Sequence, residues 1–248
     1  MEKVFFSEIV DYFESLAAAG EAVSLPEKVG REFFGKVAPT VRHSSAPAAA
    51  VPGKPPEEPE KLLSEIADEI SKCRACPLSE TRRNVVPGEG NCHAELMFIG
   101  EGPGADEDAS GRPFVGEAGQ LLTKMISAMG YSREEVYIAN IVKCRPPGNR
   151  NPGDGEAACC IGYLTRQIAA VRPRAIVLLG SVPLRYLMKI DGITRNRGRW
   201  LKYHEIPVMP TFHPAYLLRD PSRKRPVWED LKQVMKLLGK TLPDGRKG

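Results

Sequence analysis

No stretch of this chain approaches the roughly 20 consecutive apolar residues that cross a bilayer. An apolar leader is missing too, because Glu2, Glu8 and Asp11 fall where a secretory signal would be hydrophobic. Both absences predict a cytoplasmic protein with no membrane attachment. Disulfides are rare in that compartment, so the six cysteines are read as ligands or free thiols. The dinucleotide fingerprint GxGxxG is absent as well. The nearest glycine-rich stretch carries Glu101, Asp106, Glu107 and Asp108, whose charges would repel a pyrophosphate. No internal repeat is visible.

At 248 residues and 42% hydrophobic, the chain can build one good-sized domain and an appendage. Residues 1–18 pattern as an amphipathic helix, which either docks a protein partner or packs back on the body. Together with residues 19–43 they form an N-terminal extension. A Pro- and Ala-rich linker at 44–60, SSAPAAAVPGKPPEEPE, separates it from a domain at 61–240, and 241–248 read as a flexible tail. The formal net charge is only +4, but residues 195–248 hold 13 Lys or Arg against 5 Asp or Glu. Such asymmetry suits a polyanionic partner, or else a merely solvated surface. A monomer is expected.

Within the domain, a helix over 61–72 with Leu62, Leu63, Ile66 and Ile70 on one face delivers Cys73-Arg-Ala-Cys76. That CxxC alone is compatible with zinc, an iron–sulfur cluster, a redox dithiol or chance. Short apolar runs predict strands at 94–99, 136–142, 175–179 and 208–212. Helical patterns follow from Glu117, from about Gly155, over 182–189 and over 227–239. Strands alternating with helices predict a three-layer αβα fold of class α/β with a central four-stranded, mainly parallel sheet. The polar loops after the first, second and fourth strands then share one sheet edge, where carboxylates, Asn140 and His213 converge as in an enzyme site.

Three segments carry a specific resemblance: GEGPGADEDASGRPFVGEAGQLL at 100–122, NIVKCRPPGNRNP at 140–152 and HPAYLLR at 213–219. In this order, with four matching cysteines, they closely resemble the family 4 uracil-DNA glycosylases, iron–sulfur enzymes of bacteria and archaea. The resemblance covers about residues 62–238. It implies that uracil-containing DNA is the substrate, that the base is flipped out of the stack, and that hydrolysis leaves an abasic site. On the family's pattern Phe114 stacks on uracil and Asn140 reads its edge. His213 stabilises charge at uracil O2, and Gly102 lies beside the base. Glu101 is the candidate for activating water. Other uracil-DNA glycosylase families place an aspartate one residue later, where this chain has Gly102; Asp106, Glu107 and Asp108 could instead cap the following turn. Cys73, Cys76, Cys144 and Cys160 match the ligands of a 4Fe–4S cluster, with Cys159 a neighbouring alternative and Cys92 a free thiol. Leu217 or Leu218 is the wedge that fills the gap left by the flipped base. Arg145, Arg150, Arg219 and Arg223, with Lys224 and Arg225, would grip phosphates.

Two rival functions are distinguishable. A related protein type bonds covalently to abasic sites through a histidine in an inserted basic loop, but residues 144–160 contain no histidine and no such insertion. The alternative of another class is an iron–sulfur protein that binds uracil- or abasic-site DNA without turnover. The set Phe114, Asn140 and His213 argues against it.

Overall fold

The computed structural model describes residues 58–240. The expectations for the N-terminal extension, for most of the linker and for the tail lie outside these residues. Helix α1, Pro59–Lys72, starts two residues before the sequence reading, with proline in its first turn, where a missing N–H costs nothing. It buries Ile66 and Ile70 and ends at Cys73, whose backbone is extended. Helix α2 is a single turn, Leu78–Thr81.

The sheet has six strands rather than four. The four expected ones form its parallel centre in the order β3, β2, β4, β6: β2 is Leu96–Gly100, β3 Tyr137–Asn140, β4 Ala175–Leu179 and β6 Ile206–Thr211. Two short antiparallel strands were not foreseen. Strand β1, Glu89–Gly90, pairs with β3, and β5, Leu201–Tyr203, pairs with β6. Two or three residues show no readable periodicity, which is why the sequence concealed them. Strand β3 is also shorter than its apolar run. Ile141 and Val142 leave the ladder but donate to the carbonyls of Gly100 and Glu101 at 3.0 and 3.1 Å.

Side-chain alternation divides the core into two layers. Met97, Ile99, Ala139, Ile176, Leu178 and Val208 face α5, Asp154–Val171, and α6, Ser181–Met188. Leu96, Phe98, Ile138, Val177, Leu179 and Met209 face α4, Glu117–Ala128, and α9, Lys224–Leu237. Both faces are covered, so every residue of β2 and β4 is buried and reads as an uninterrupted apolar run. The remaining helices are short: α3 is Ala105–Ser110, α7 Ile193–Asn196 and α8 Pro214–Arg219.

Chain order fixes where a ligand can sit. From β2 the chain crosses to β3 on one side, then returns past β2 to β4 on the other. In an open parallel sheet such a reversal leaves a crevice at the carboxyl ends of the strands. The register sets Gly100 beside Asn140 at the ends of β2 and β3, and Leu179 beside Thr211 at the ends of β4 and β6.

Candidate active site

The loops leaving β2, β3, β4 and β6 wall a cavity of about 620 Å³. Glu101, Gly102, Phe114, Asn140 and His213, the sequence-predicted base and catalytic residues, all line it, as do two predicted DNA contacts, Arg150 and Arg219. Glu101 is the first residue beyond β2, and burial pushes its carboxyl up to about 7. A Cβ at position 102 would meet Val142 Cγ2 at 2.7 Å, so a side chain there would require Val142 to shift.

A Cβ on Gly100 would meet the Phe114 ring at 2.4 Å and Asn140 Oδ1 at 2.5 Å. Both groups therefore rest on the bare glycine that ends β2. Asn140 is 1% exposed, and its Oδ1 is the buried side-chain polar atom left without a hydrogen-bond partner among the described residues. Leaving such an oxygen unpaired costs about 1–3 kcal/mol, a cost that a ligand donating a hydrogen bond would remove.

His213 caps α8: its Nδ1 accepts the backbone N–H of Ala215 at 3.1 Å. In the neutral ring the proton then resides on Nε2. Burial, with the charge of Arg219 adding to it, lowers the His213 pKa to about 4, so the ring is neutral at physiological pH and offers one N–H. Its centroid lies 5.6 Å from that of Phe114, with 31° between the planes.

The acidic run after Gly104 has structural partners. Glu107 accepts from the backbone N–H of Gly104 at 3.0 Å with one oxygen, and from Val115 and Gly116 at 2.8 and 2.9 Å with the other. Asp108 is buried and accepts from the backbone of Arg83 at 2.9 Å. Capping is thus the role of Glu107, which also fixes the loop that carries Phe114.

Among the candidate DNA contacts, Leu217 requires correction as a wedge. It is 1% exposed and packs in the core layer covered by α4 and α9, whereas Leu218 is 42% exposed. One residue along a helix turns a side chain by about 100°, from core to solvent. Arg145 donates to Asn149 Oδ1 at 2.8 Å, Arg150 pairs with Glu156 at 2.7 Å and Arg223 with Asp220 at 2.9 Å.

A second, smaller cavity is lined by five cysteines: Cys73 beyond α1, Cys76, Cys144 beyond β3, and the neighbours Cys159 and Cys160 on α5. Cys144 and Cys160 are buried, Cys73 and Cys76 half-buried and Cys159 exposed. No cysteine among the described residues is in a disulfide. Burial raises the thiol pKa of Cys76 and Cys144 and pushes Cys160 up to about 12. Arg82 donates to Cys144 Sγ at 3.0 Å and to the Cys73 carbonyl at 2.9 Å, and the Lys143 N–H donates to Cys160 Sγ at 3.3 Å. Among the described residues no three His, Cys, Asp or Glu side chains are arranged to hold a single metal ion. Cys92 is a buried free thiol beside Glu60, at 3.6 Å.

Several partners escaped the sequence reading. Lys143 is buried, donating to the Asn140 carbonyl at 2.9 Å and to Gln167 Oε1 at 2.7 Å; in sequence it was one more cation after a strand. Arg82, Glu89 and Arg133 sit in polar segments where nothing in the local pattern sets them apart.

Comparison with known proteins agrees with this geometry. The family model of the Uracil DNA glycosylase superfamily matches residues 87–232. The type-4 uracil-DNA glycosylase of Saccharolobus solfataricus is 48% identical over 186 residues, which cover 71% of this chain and 86% of that protein. That of Thermotoga maritima is 46% identical over 190 residues, 73% of this chain and 97% of its own. A type-5 enzyme of Pyrobaculum aerophilum is more distant, at 34% over 150 residues, 53% of this chain and 66% of that protein. The chain belongs to the uracil DNA glycosylase superfamily, on the side of its type-4 members.

Proposed function

We propose that this protein is a uracil-DNA glycosylase that draws uracil out of DNA and hydrolyses the bond between uracil N1 and deoxyribose, leaving an abasic site. The observation that carries the reading is the unpaired, buried Asn140 Oδ1, beside the Phe114 ring and a neutral His213 on one cavity wall. A carboxamide oxygen accepts from uracil N3–H while its N–H₂ donates to O4, a pattern that cytosine does not match. The Phe114 ring supplies a stacking face. Bond cleavage leaves negative charge on uracil, and the Nε2–H of His213 donates to O2 as that charge develops. A neutral imidazole suits this step, because it need not release a proton to act as a donor. The Glu101 carboxylate holds the water that attacks the sugar, whose transition state has oxocarbenium character.

Cys73, Cys76, Cys144 and Cys160 fit a 4Fe–4S cluster by donor type: they are four of the five unpaired thiols around one cavity, the fifth being the exposed Cys159, and Arg82 and the Lys143 N–H already donate to two of the sulfurs. A cluster there would supply no bond-making chemistry; it would tie the end of α1, the exit of β3 and α5 together. Anaerobically purified protein is expected to be brown, with about four irons per chain. Zinc in its place would remove the cluster from this reading.

The deciding assay is release of uracil from an oligonucleotide, scored by alkali cleavage at the abasic site. Intact oligonucleotide after prolonged incubation with folded protein would leave a binding protein without turnover and sink the reading.

A further inference from the structure

Phe114 adopts φ 52, the left-handed region, which a bulky L residue enters only where its surroundings impose it. Here they act on both sides of its peptide. Glu107 holds the following N–H groups, those of Val115 and Gly116. On the carbonyl side, Arg133 donates Nη1 to the Phe114 carbonyl at 2.9 Å and Nη2 to that of Pro113. Its Nε is bound by Glu89 Oε1 at 2.8 Å, and Arg112 holds the other Glu89 oxygen at 2.9 Å. Below the loop α4 comes so close that a Cβ on Gly119 would lie 2.0 Å from the Phe114 carbonyl. Arg133 is 12% exposed and does not line the cavity, so it cannot act on a substrate directly.

We propose that the Arg133–Glu89 pair is a positioning device for specificity: it clamps the Pro113 and Phe114 carbonyls so that the aromatic ring is held, ready to stack, against Asn140 and His213. The planar guanidinium fork is suited to this, since one end reaches two neighbouring carbonyls while Nε remains bound to a carboxylate. Strand β1 contributes through its anchor. At two residues it adds little to the sheet, but it delivers Glu89 to the back of the loop. The inference rests on the reading of Phe114 as the residue that stacks on uracil.

Single-turnover uracil release and inhibition by free uracil test it in four proteins: wild type, Arg133→Met, Phe114→Ala and the double variant. Arg133→Met should slow release and weaken free-uracil inhibition by about tenfold each, while affinity for undamaged DNA of the same length stays within about twofold. In the Phe114→Ala background the same substitution should cost less than about twofold, because the ring it positions is gone. Glu89→Gln, which keeps the backbone contacts of Arg133 but weakens its anchor, should give a smaller loss of the same kind. It carries the comparison if Arg133→Met melts too early to assay. Equal losses with and without the Phe114 ring, or a matching loss of affinity for undamaged DNA, would make the pair a general support and overturn the proposal. Wild-type protein that releases uracil while both variants release it as fast would overturn this inference alone. Wild-type protein that releases none would overturn the proposed function and this inference together.

Discussion

As the proposed holder of the attacking water, Glu101 should set the pH dependence of the reaction. Burial raises its carboxyl to about 7, and a carboxylate rather than a carboxylic acid must hold the attacking water. The single-turnover rate should therefore climb as pH rises through about 7 and level off above it. His213 contributes no limb in that window, since its imidazole takes up a proton only below about 4. Glu101→Gln should flatten the profile and slow release by roughly 100-fold or more. A profile that still climbs through 7 in the variant would assign the base elsewhere. Stability should move the opposite way. A carboxyl whose pKa is raised on folding favours the folded state below its unfolded value, and that contribution is lost as pH rises through the folded value. The melting temperature of Glu101→Gln should accordingly gain on the wild type between pH 5 and 8. Asn140 is the second residue whose proposed role is separable. Asn140→Asp places a carboxylate where uracil O4 needs a donor, while cytosine offers an amino group there. Uracil release should fall and discrimination against cytosine should narrow; undiminished uracil release would show that Asn140 does not read the base.

Among the elements, α8 is the most informative, because it presents two adjacent leucines with opposite surroundings. Leu217→Ala opens a hole in the core layer where α8 packs on α4 and should destabilise the fold by about 2–5 kcal/mol, read from thermal or denaturant melting. Leu218→Ala should leave the melt unchanged and weaken capture of uracil in duplex DNA while sparing single-stranded substrate, where no gap needs filling. The reverse pattern would remove Leu218 as the wedge. The sequence named both residues and could not choose, because the choice depends on where the helix meets α4. The same limit explains the other misses. Strands β2, β3, β4 and β6 were legible since burial on both faces makes each a bounded apolar run. The loops with Glu101, Phe114, Asn140 and His213 were legible as glycine, proline and polar breaks at the ends of such runs. Strands β1 and β5 are too short for periodicity to exist. Arg133 and Lys143 act through contacts between residues 19 and 24 positions apart, which no local pattern encodes.

For the whole molecule, the proposed chemistry and the proposed DNA binding draw on different charges. The basic surplus after residue 195 is partly neutralised locally: Arg197 pairs with Asp230, Arg223 with Asp220, Lys202 with Glu205 and Lys232 with Glu229. Arg219 lines the cavity, nearly two helical turns from His213, and Lys224 and Arg225 follow it on the exposed start of α9. A duplex seated over the cavity would meet these cations with its phosphates, and affinity gained this way falls with salt. Arg219→Ala should weaken binding to uracil-containing and undamaged DNA alike and lower the slope of log affinity against log salt by about one. At saturating protein the rate of uracil release should be nearly retained. His213→Ala should do the converse, since its hydrogen bond strengthens only as charge develops on the departing base. Its single-turnover rate should fall by roughly 100-fold or more, the scale of losing one such donor, with DNA affinity and salt slope unchanged. Titrations at several salt concentrations, run beside single-turnover assays of both variants, separate the two roles. If His213→Ala instead loses affinity and keeps its saturated rate, the histidine binds DNA and the anion-stabilising role assigned to it is wrong.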